Sequence, residues 1–104
     1  MKIEIWSWNV NGVRAILNKD FIGTLQTEKP DIIGLQETKL QDHQIPSELE
    51  QLSEYNKFWS HAERKGYSGT ALLTKASPLS VEYGFGIPEF DNEGRIIIAE
   101  YEKF

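Results

Sequence analysis

Ile3-Glu4-Ile5-Trp6-Ser7-Trp8-Asn9-Val10-Asn11-Gly12-Val13-Arg14-Ala15-Ile16-Leu17 starts on one periodicity and finishes on another. Ile3, Ile5 and Ser7 alternate with Glu4, Trp6 and Trp8, the period of two that sends successive side chains to opposite faces of a strand. After Gly12 the spacing changes. Val13, Ile16 and Leu17 share a helical face, and Asp20 is placed to cap a continuation through Phe21, Ile22 and Leu25 that Lys29-Pro30 must end. Asp31-Ile32-Ile33-Gly34-Leu35-Gln36 then runs almost unbroken in apolar residues, as a strand covered on both faces does. The order strand, turn, helix, strand predicts a strand-helix-strand unit.

Working outward, Pro46 followed by Ser47, Glu48, Leu49 and Leu52 predicts a short helix, and Tyr55 to Ser60 alternates as a strand. Thr70 to Thr74, Leu79 to Phe85 and Arg95 to Tyr101 supply three further strands, with Asp91-Asn92-Glu93-Gly94 as the turn between the last two. Later strands joined by short turns imply antiparallel pairing. The expected architecture is α/β: a mixed β-sheet with helices on one face, residues 1–104 forming a single unit. At this length a core is feasible with little margin, so an apolar face left uncovered would matter.

Eleven basic and sixteen acidic residues give a net charge of -5, the wrong sign for a protein held to nucleic acid by bulk electrostatics. Only a local concentration of positive charge, or a bound cation, could reverse that at a binding face. The opening Met1-Lys2-Ile3-Glu4-Ile5 lacks the build of a secretory signal, and no apolar run is long enough to span a membrane. The absence of cysteine excludes disulfides and thiolate metal sites. These features lead us to expect a cytoplasmic protein with no membrane partner.

Four segments carry groups able to do chemistry. Asn9 and Asn11 leave a strand end just before a helix, where open α/β sheets place ligands; their amide oxygens suit a hard cation or a phosphate, although Asn11-Gly12 is equally a turn dipeptide. Glu37 follows the buried strand to the same kind of edge, where a carboxylate beside an amide oxygen suits Mg²⁺ but could also be an ordinary solvated acid. Arg64-Lys65-Gly66-Tyr67-Ser68-Gly69-Thr70 offers cations, an aromatic face and close backbone approach, the parts needed to grip a nucleic-acid backbone, or simply a connecting loop. Phe90 to Arg95 reads chiefly as a turn whose Arg95 could meet a phosphate. His43 and His61 stand outside these segments and are not expected to act as bases. The tryptophans fall on strand periods and are expected in the core.

Residues 7–15, 31–39, 65–73 and 93–97 resemble, in order and spacing, the N-terminal motifs of the exodeoxyribonuclease III / abasic-site endonuclease family. The resemblance implies half of a four-layer α/β sandwich, the endonuclease/exonuclease/phosphatase fold, with a metal site at one end. It implies Glu37 as a principal Mg²⁺ ligand (Mn²⁺ being a possible substitute), with Asn9 and Asn11 shaping the metal site and Asn9 and Glu37 in catalytic roles. Asn11 stands where some members have Asp, which would weaken a second metal site. Arg14, Ala15, Lys19, Lys39, Gly66, Tyr67 and Arg95 would meet double-stranded DNA at an abasic site. The implied reaction is hydrolysis of the phosphodiester bond 5′ to that site, with 3′-5′ exonuclease activity. The family's later motifs would follow Phe104, so the chain is expected to be inactive alone, to lack a C-terminal half and to form a homodimer through its uncovered sheet. The alternatives are the same fold acting on a phosphorylated small molecule or lipid, and a non-catalytic metal- or DNA-binding module.

Overall fold

The computed structural model describes residues 3–84, 86–87 and 92–104. The opening stretch forms strand β1 (Ile5–Asn9) and helix α1 (Val13–Leu17), and helix α2 (Phe21–Glu28) leads to β2 (Ile32–Gln36). A 3₁₀ turn (Asp42–Gln44) and α3 (Ser47–Glu50) precede β3 (Asn56–Ser60) and β4 (Thr70–Thr74). Two short strands follow, β5 (Ser80–Glu82) and β6 (Ile98–Glu100).

Strand β1 lies parallel to β2, while β4 runs antiparallel to both β2 and β3, giving a mixed sheet of order β1-β2-β4-β3. The period of two sorts its residues. Trp6, Trp8, Ile33, Leu35, Trp59, Ala71 and Leu73 fall on one face and pack with Val13 and Phe21, Leu25 and Leu49 of the helices. Trp8 and Phe21 bring their rings to 5.2 Å at a tilted angle, which joins sheet to helix layer. The helices thus cover one face, as expected. On the other face the register sets Ile5 beside Ile32, and Gly34 beside Leu72, itself opposite Phe58. Ile5 is 60% exposed there, whereas Ile32, Leu72 and Phe58 are half-buried.

Local chemistry explains the helix boundaries and one departure. Lys29 ends α2 in a left-handed conformation (φ 49°), its N–H donating to Leu25 O, and Pro30 cannot continue the helix. Asp20 does stand at the N-cap of α2, but it is left-handed (φ 60°) and its side chain makes no capping bond. The capping position was legible; its chemistry was not. Tyr55 is buried, and its hydroxyl donates to Pro30 O at 2.7 Å, fastening the loop after α2 to the approach to β3.

The two last strands differ from expectation. The segments 79–85 and 95–101 contribute only residues 80–82 and 98–100, and these pair with each other, Ser80 opposite Glu100, in a separate two-stranded sheet. Gly84 and Gly86 adopt φ of 115° and 84°, which an extended strand cannot include. The turn at Asn92 to Gly94 does lie between these two paired strands, but within a long connection rather than as a tight hairpin turn. Phe85, Phe90 and Asp91 lie outside the described residues.

Candidate metal and nucleic-acid site

Three loops meet at the ends of β1, β2 and β4 and are tied by backbone hydrogen bonds. Gly12 and Val13 N–H donate to the carbonyls of Glu37 (2.7 Å) and Thr38 (3.0 Å). Thr38 and Lys39 N–H donate in turn to Gly69 O (3.1 Å) and Ser68 O (2.8 Å). The middle loop is therefore clamped from both sides. Asn11, Glu37, Lys39 and Ser68 all take positive φ, between 47° and 57°. Non-glycine residues accept that conformation only where their surroundings impose it, and such residues cluster at binding sites. Gly69 (φ 89°) is held against Thr38, whose hydroxyl oxygen a Cβ at this position would strike.

The side chains continue the ties. Asn9 Nδ2 donates to Glu37 Oε2, while Asn9 Oδ1 accepts from the Asn11 backbone N–H at 3.0 Å. Lys39 Nζ donates to Asn11 Oδ1 at 2.6 Å. Glu37, Asn9, Asn11 and Lys39 thus form one connected chain of polar groups across two loops.

A cavity of about 350 Å³ opens beside it, lined by Glu37, Lys39, Gly66, Tyr67, Ser68 and Arg95. Tyr67 also lines a neighbouring cavity of about 250 Å³ with Arg64 and Glu93, so its ring stands between the two. Arg64 and Arg95 place their guanidinium carbons 5.2 Å and 5.7 Å from the centre of that ring, within cation-π reach. Arg95 Nη2 also donates to the Tyr67 hydroxyl at 3.1 Å, and its Nε to Glu93 at 2.7 Å. The bond to Glu93 foremost, then that to Tyr67, holds the Arg95 guanidinium above its ordinary pKa, so it is a permanent cation.

Residues from three of the four motifs, separated by as many as 58 positions between Glu37 and Arg95, therefore share one cavity. Asn9 and Asn11 join it through hydrogen bonds to Glu37 and Lys39 rather than as lining residues. Arg14, Ala15 and Lys19 are exposed on α1 and in the turn after it, outside the cavity. His61 hydrogen-bonds Asp42 at 2.9 Å and stacks on Trp59, and His43 is exposed; neither lines the cavity. Sequence reasoning missed the roles of Ser68, whose left-handed backbone faces Lys39, and of Glu93, which holds Arg95. A Ser-Gly pair in a loop flagged the first; nothing local flagged the second.

Among the described residues, Glu37 is the one carboxylate lining this cavity. That donor set fits Mg²⁺, which commonly binds one or two carboxylates and completes its shell with water and phosphate oxygens. Among the described residues no group of three or more His, Cys, Asp or Glu side chains gathers to make a zinc or calcium cage. The described residues also include no helix long and apolar enough to cross a membrane.

Known proteins resemble this chain over nearly its whole length. The chain is 50% identical over 102 residues to an exodeoxyribonuclease of Bacillus subtilis, covering 97% of this chain and 39% of the relative. It is 45% identical over 104 residues to the DNA repair nuclease APEX1 of Danio rerio, covering 98% of this chain and 34% of that protein. An AP endonuclease structure from Archaeoglobus fulgidus superimposes with a TM-score of 0.81 at 30% identity, over 97% of this chain and 38% of the other. The chain thus spans little more than a third of these relatives. The model of the endonuclease/exonuclease/phosphatase family matches residues 6–104, and it is to this family that the chain belongs.

Proposed function

We propose that this chain provides the metal-holding and DNA-gripping part of a Mg²⁺-dependent DNA-repair nuclease that cleaves the phosphodiester bond 5′ to abasic sites and acts as a 3′-5′ exonuclease in the cytoplasm. The observation that carries this reading is the shared cavity: a carboxylate, an ammonium, a guanidinium and an aromatic ring around one space. Glu37 would hold the cation, with Mn²⁺ as a substitute, and Asn9 fixes the carboxylate by occupying one of its oxygens. When bound, the ion supplies stabilisation of charge developing on the phosphate oxygens. Lys39 and Arg95 bring positive charge to a polyanion, and Tyr67, immobilised by two guanidiniums, offers a rigid ring to a sugar or base. Arg14, Ala15 and Lys19 would extend contact along the DNA backbone. The aromatic ring among cations favours DNA over a phosphorylated small molecule or lipid.

Fluorescence anisotropy with a duplex containing one abasic analogue tests the assignment. Mg²⁺ should tighten binding by the unsubstituted chain, Glu37→Gln should abolish that Mg²⁺ effect, and Tyr67→Ala should weaken binding about tenfold, the order of one lost stacking contact. Equal affinities for all three proteins, with or without Mg²⁺, would refute it. We expect the purified chain to produce no nicking of the same duplex above background, since the described residues lining the cavity include no pair of groups able both to hold a cation and to activate water. Mg²⁺-dependent nicking on a gel would overturn that expectation. We also propose that the sheet face opposite the helices pairs with a second copy of this chain.

A further inference from the structure

Glu93 lies outside the cavity that Glu37, Lys39 and Arg95 line and belongs to the neighbouring one, with the Tyr67 ring between the two. From there its Oε1 accepts from Arg95 Nε at 2.7 Å, while Arg95 Nη2 donates to the Tyr67 hydroxyl at 3.1 Å. We propose that Glu93 is a positioning residue for DNA binding: it holds Arg95 by one edge, so that the free end of the guanidinium is presented to a phosphate at the larger cavity. This rests on the DNA reading of that cavity given above.

The planar shape of the guanidinium sets what it can still offer. Nε and Nη2 lie along one edge, and that edge is taken, by a carboxylate at Nε and a phenol at Nη2. Among the described residues nothing accepts from Nη1, which with the remaining N–H of Nη2 forms a second fork of the kind that phosphate oxygens match. A mobile arginine loses side-chain freedom on meeting a phosphate; one already held at Nε loses less. Glu93 can anchor it because its own backbone is fixed. Asn92 O accepts from Glu63 N–H at 2.9 Å, and Gly94 packs so closely on the end of β3 that an added Cβ would meet Ala62 N at 2.5 Å. The Arg95 and Glu93 side chains are 54% and 42% exposed, so their ion pair adds little to stability and its effect belongs at the DNA. Bulk electrostatics gives that effect the opposite sign: deleting a carboxylate beside a polyanion should tighten binding, whereas deleting the anchor of Arg95 should loosen it.

Fluorescence anisotropy with the abasic-analogue duplex separates the two signs. Arg95→Ala should weaken binding by the full chain about tenfold, the order of one lost hydrogen bond between charged groups. Glu93→Ala should weaken it about threefold, since a loosened arginine keeps its charge but not its orientation. Glu93→Gln keeps an acceptor for Nε and should restore the affinity of the unsubstituted chain. In the Arg95→Ala background, Glu93→Ala should weaken binding no further, because the residue through which it acts is gone; a merely structural role would weaken binding equally in both backgrounds. The proposal is overturned, with the DNA reading intact, by a Glu93→Ala chain that binds as tightly as the unsubstituted one or more tightly. A Gln variant as weak as the Ala variant, or a loss that persists without Arg95, overturns it in the same way. Undiminished binding by Arg95→Ala would remove Arg95 as a DNA contact and this inference with it.

Discussion

Tyr55 shows how much one buried polar atom carries. It is 4% exposed, and its hydroxyl satisfies Pro30 O, a carbonyl beside the point where α2 must stop. Tyr55→Phe keeps the ring packed but leaves that carbonyl without its donor, at a cost of about 1 kcal/mol readable by urea denaturation. The same hydroxyl gives a pH signature. Burial, then the nearby charges of Glu54, Asp31 and Glu4, raise its pKa above the ordinary 10.0. The unfolded chain therefore ionises first, so Tyr55's contribution is complete below pH 10.0 and is lost as pH rises through the higher folded value. Unfolding titrations should show Tyr55→Phe losing less stability above that pH than the unsubstituted chain; parallel alkaline losses would show that Tyr55 is not their source.

The functional groups depend on how elements are held, and Gly94 is where this is sharpest. It lies in the long connection between β5 and β6 with φ 61°, and a Cβ there would come within 2.5 Å of Ala62 N and His61 C and 2.6 Å of Ser60 O. All three are backbone atoms just at or beyond the end of β3, so none can swing aside. The close approach also lets Glu63 N–H reach Asn92 O at 2.9 Å, and it delivers Glu93 and Arg95 to Tyr67. Gly94→Ala should destabilise the chain by about 2 kcal/mol or more in denaturant melts and weaken DNA binding with it. A neutral result would mean that the connection moves freely. The sequence reading found the turn here, because Asn-Glu-Gly is turn chemistry, but took the glycine as hairpin punctuation. Its need for a bare Cα is tertiary: it comes from β3, more than thirty residues earlier in the chain.

Across the molecule, the side of the sheet away from the helices presents Ile5, 60% exposed, beside the half-buried Ile32, Leu72 and Phe58. A few hundred Å² of such surface corresponds to several kcal/mol of unrealised burial at about 25 cal/mol per Å². A symmetric pair of chains, face against face, buries it with one repeated contact. Light scattering between micromolar and millimolar concentration should therefore show a dimer, which Ile5→Lys should split; Ile5 is so exposed that the fold itself should tolerate the change. A monomer throughout that range would refute face pairing. A dimer indifferent to Ile5→Lys would point instead to the open edges of β1 or β3. Ile98, the first residue of β6, belongs to the separate β5-β6 sheet and so does not contribute to this face.

Local periodicity was enough to locate β1, α2, β2, β3 and β4, because each carries its apolar pattern within a few residues, and α2 runs directly into Lys29-Pro30. The recurring motifs were enough to identify Glu37, Lys39, Tyr67 and Arg95 as residues of interest. Which of them share a cavity was decided only by the tertiary structure, since a strand's period says which face a residue takes but not which strand lies beside it. Likewise, nothing in Asn11 or Lys39 taken singly shows that one holds the other. They meet at 2.6 Å because β1 and β2 are parallel neighbours and so end side by side, each turning its following loop against the other.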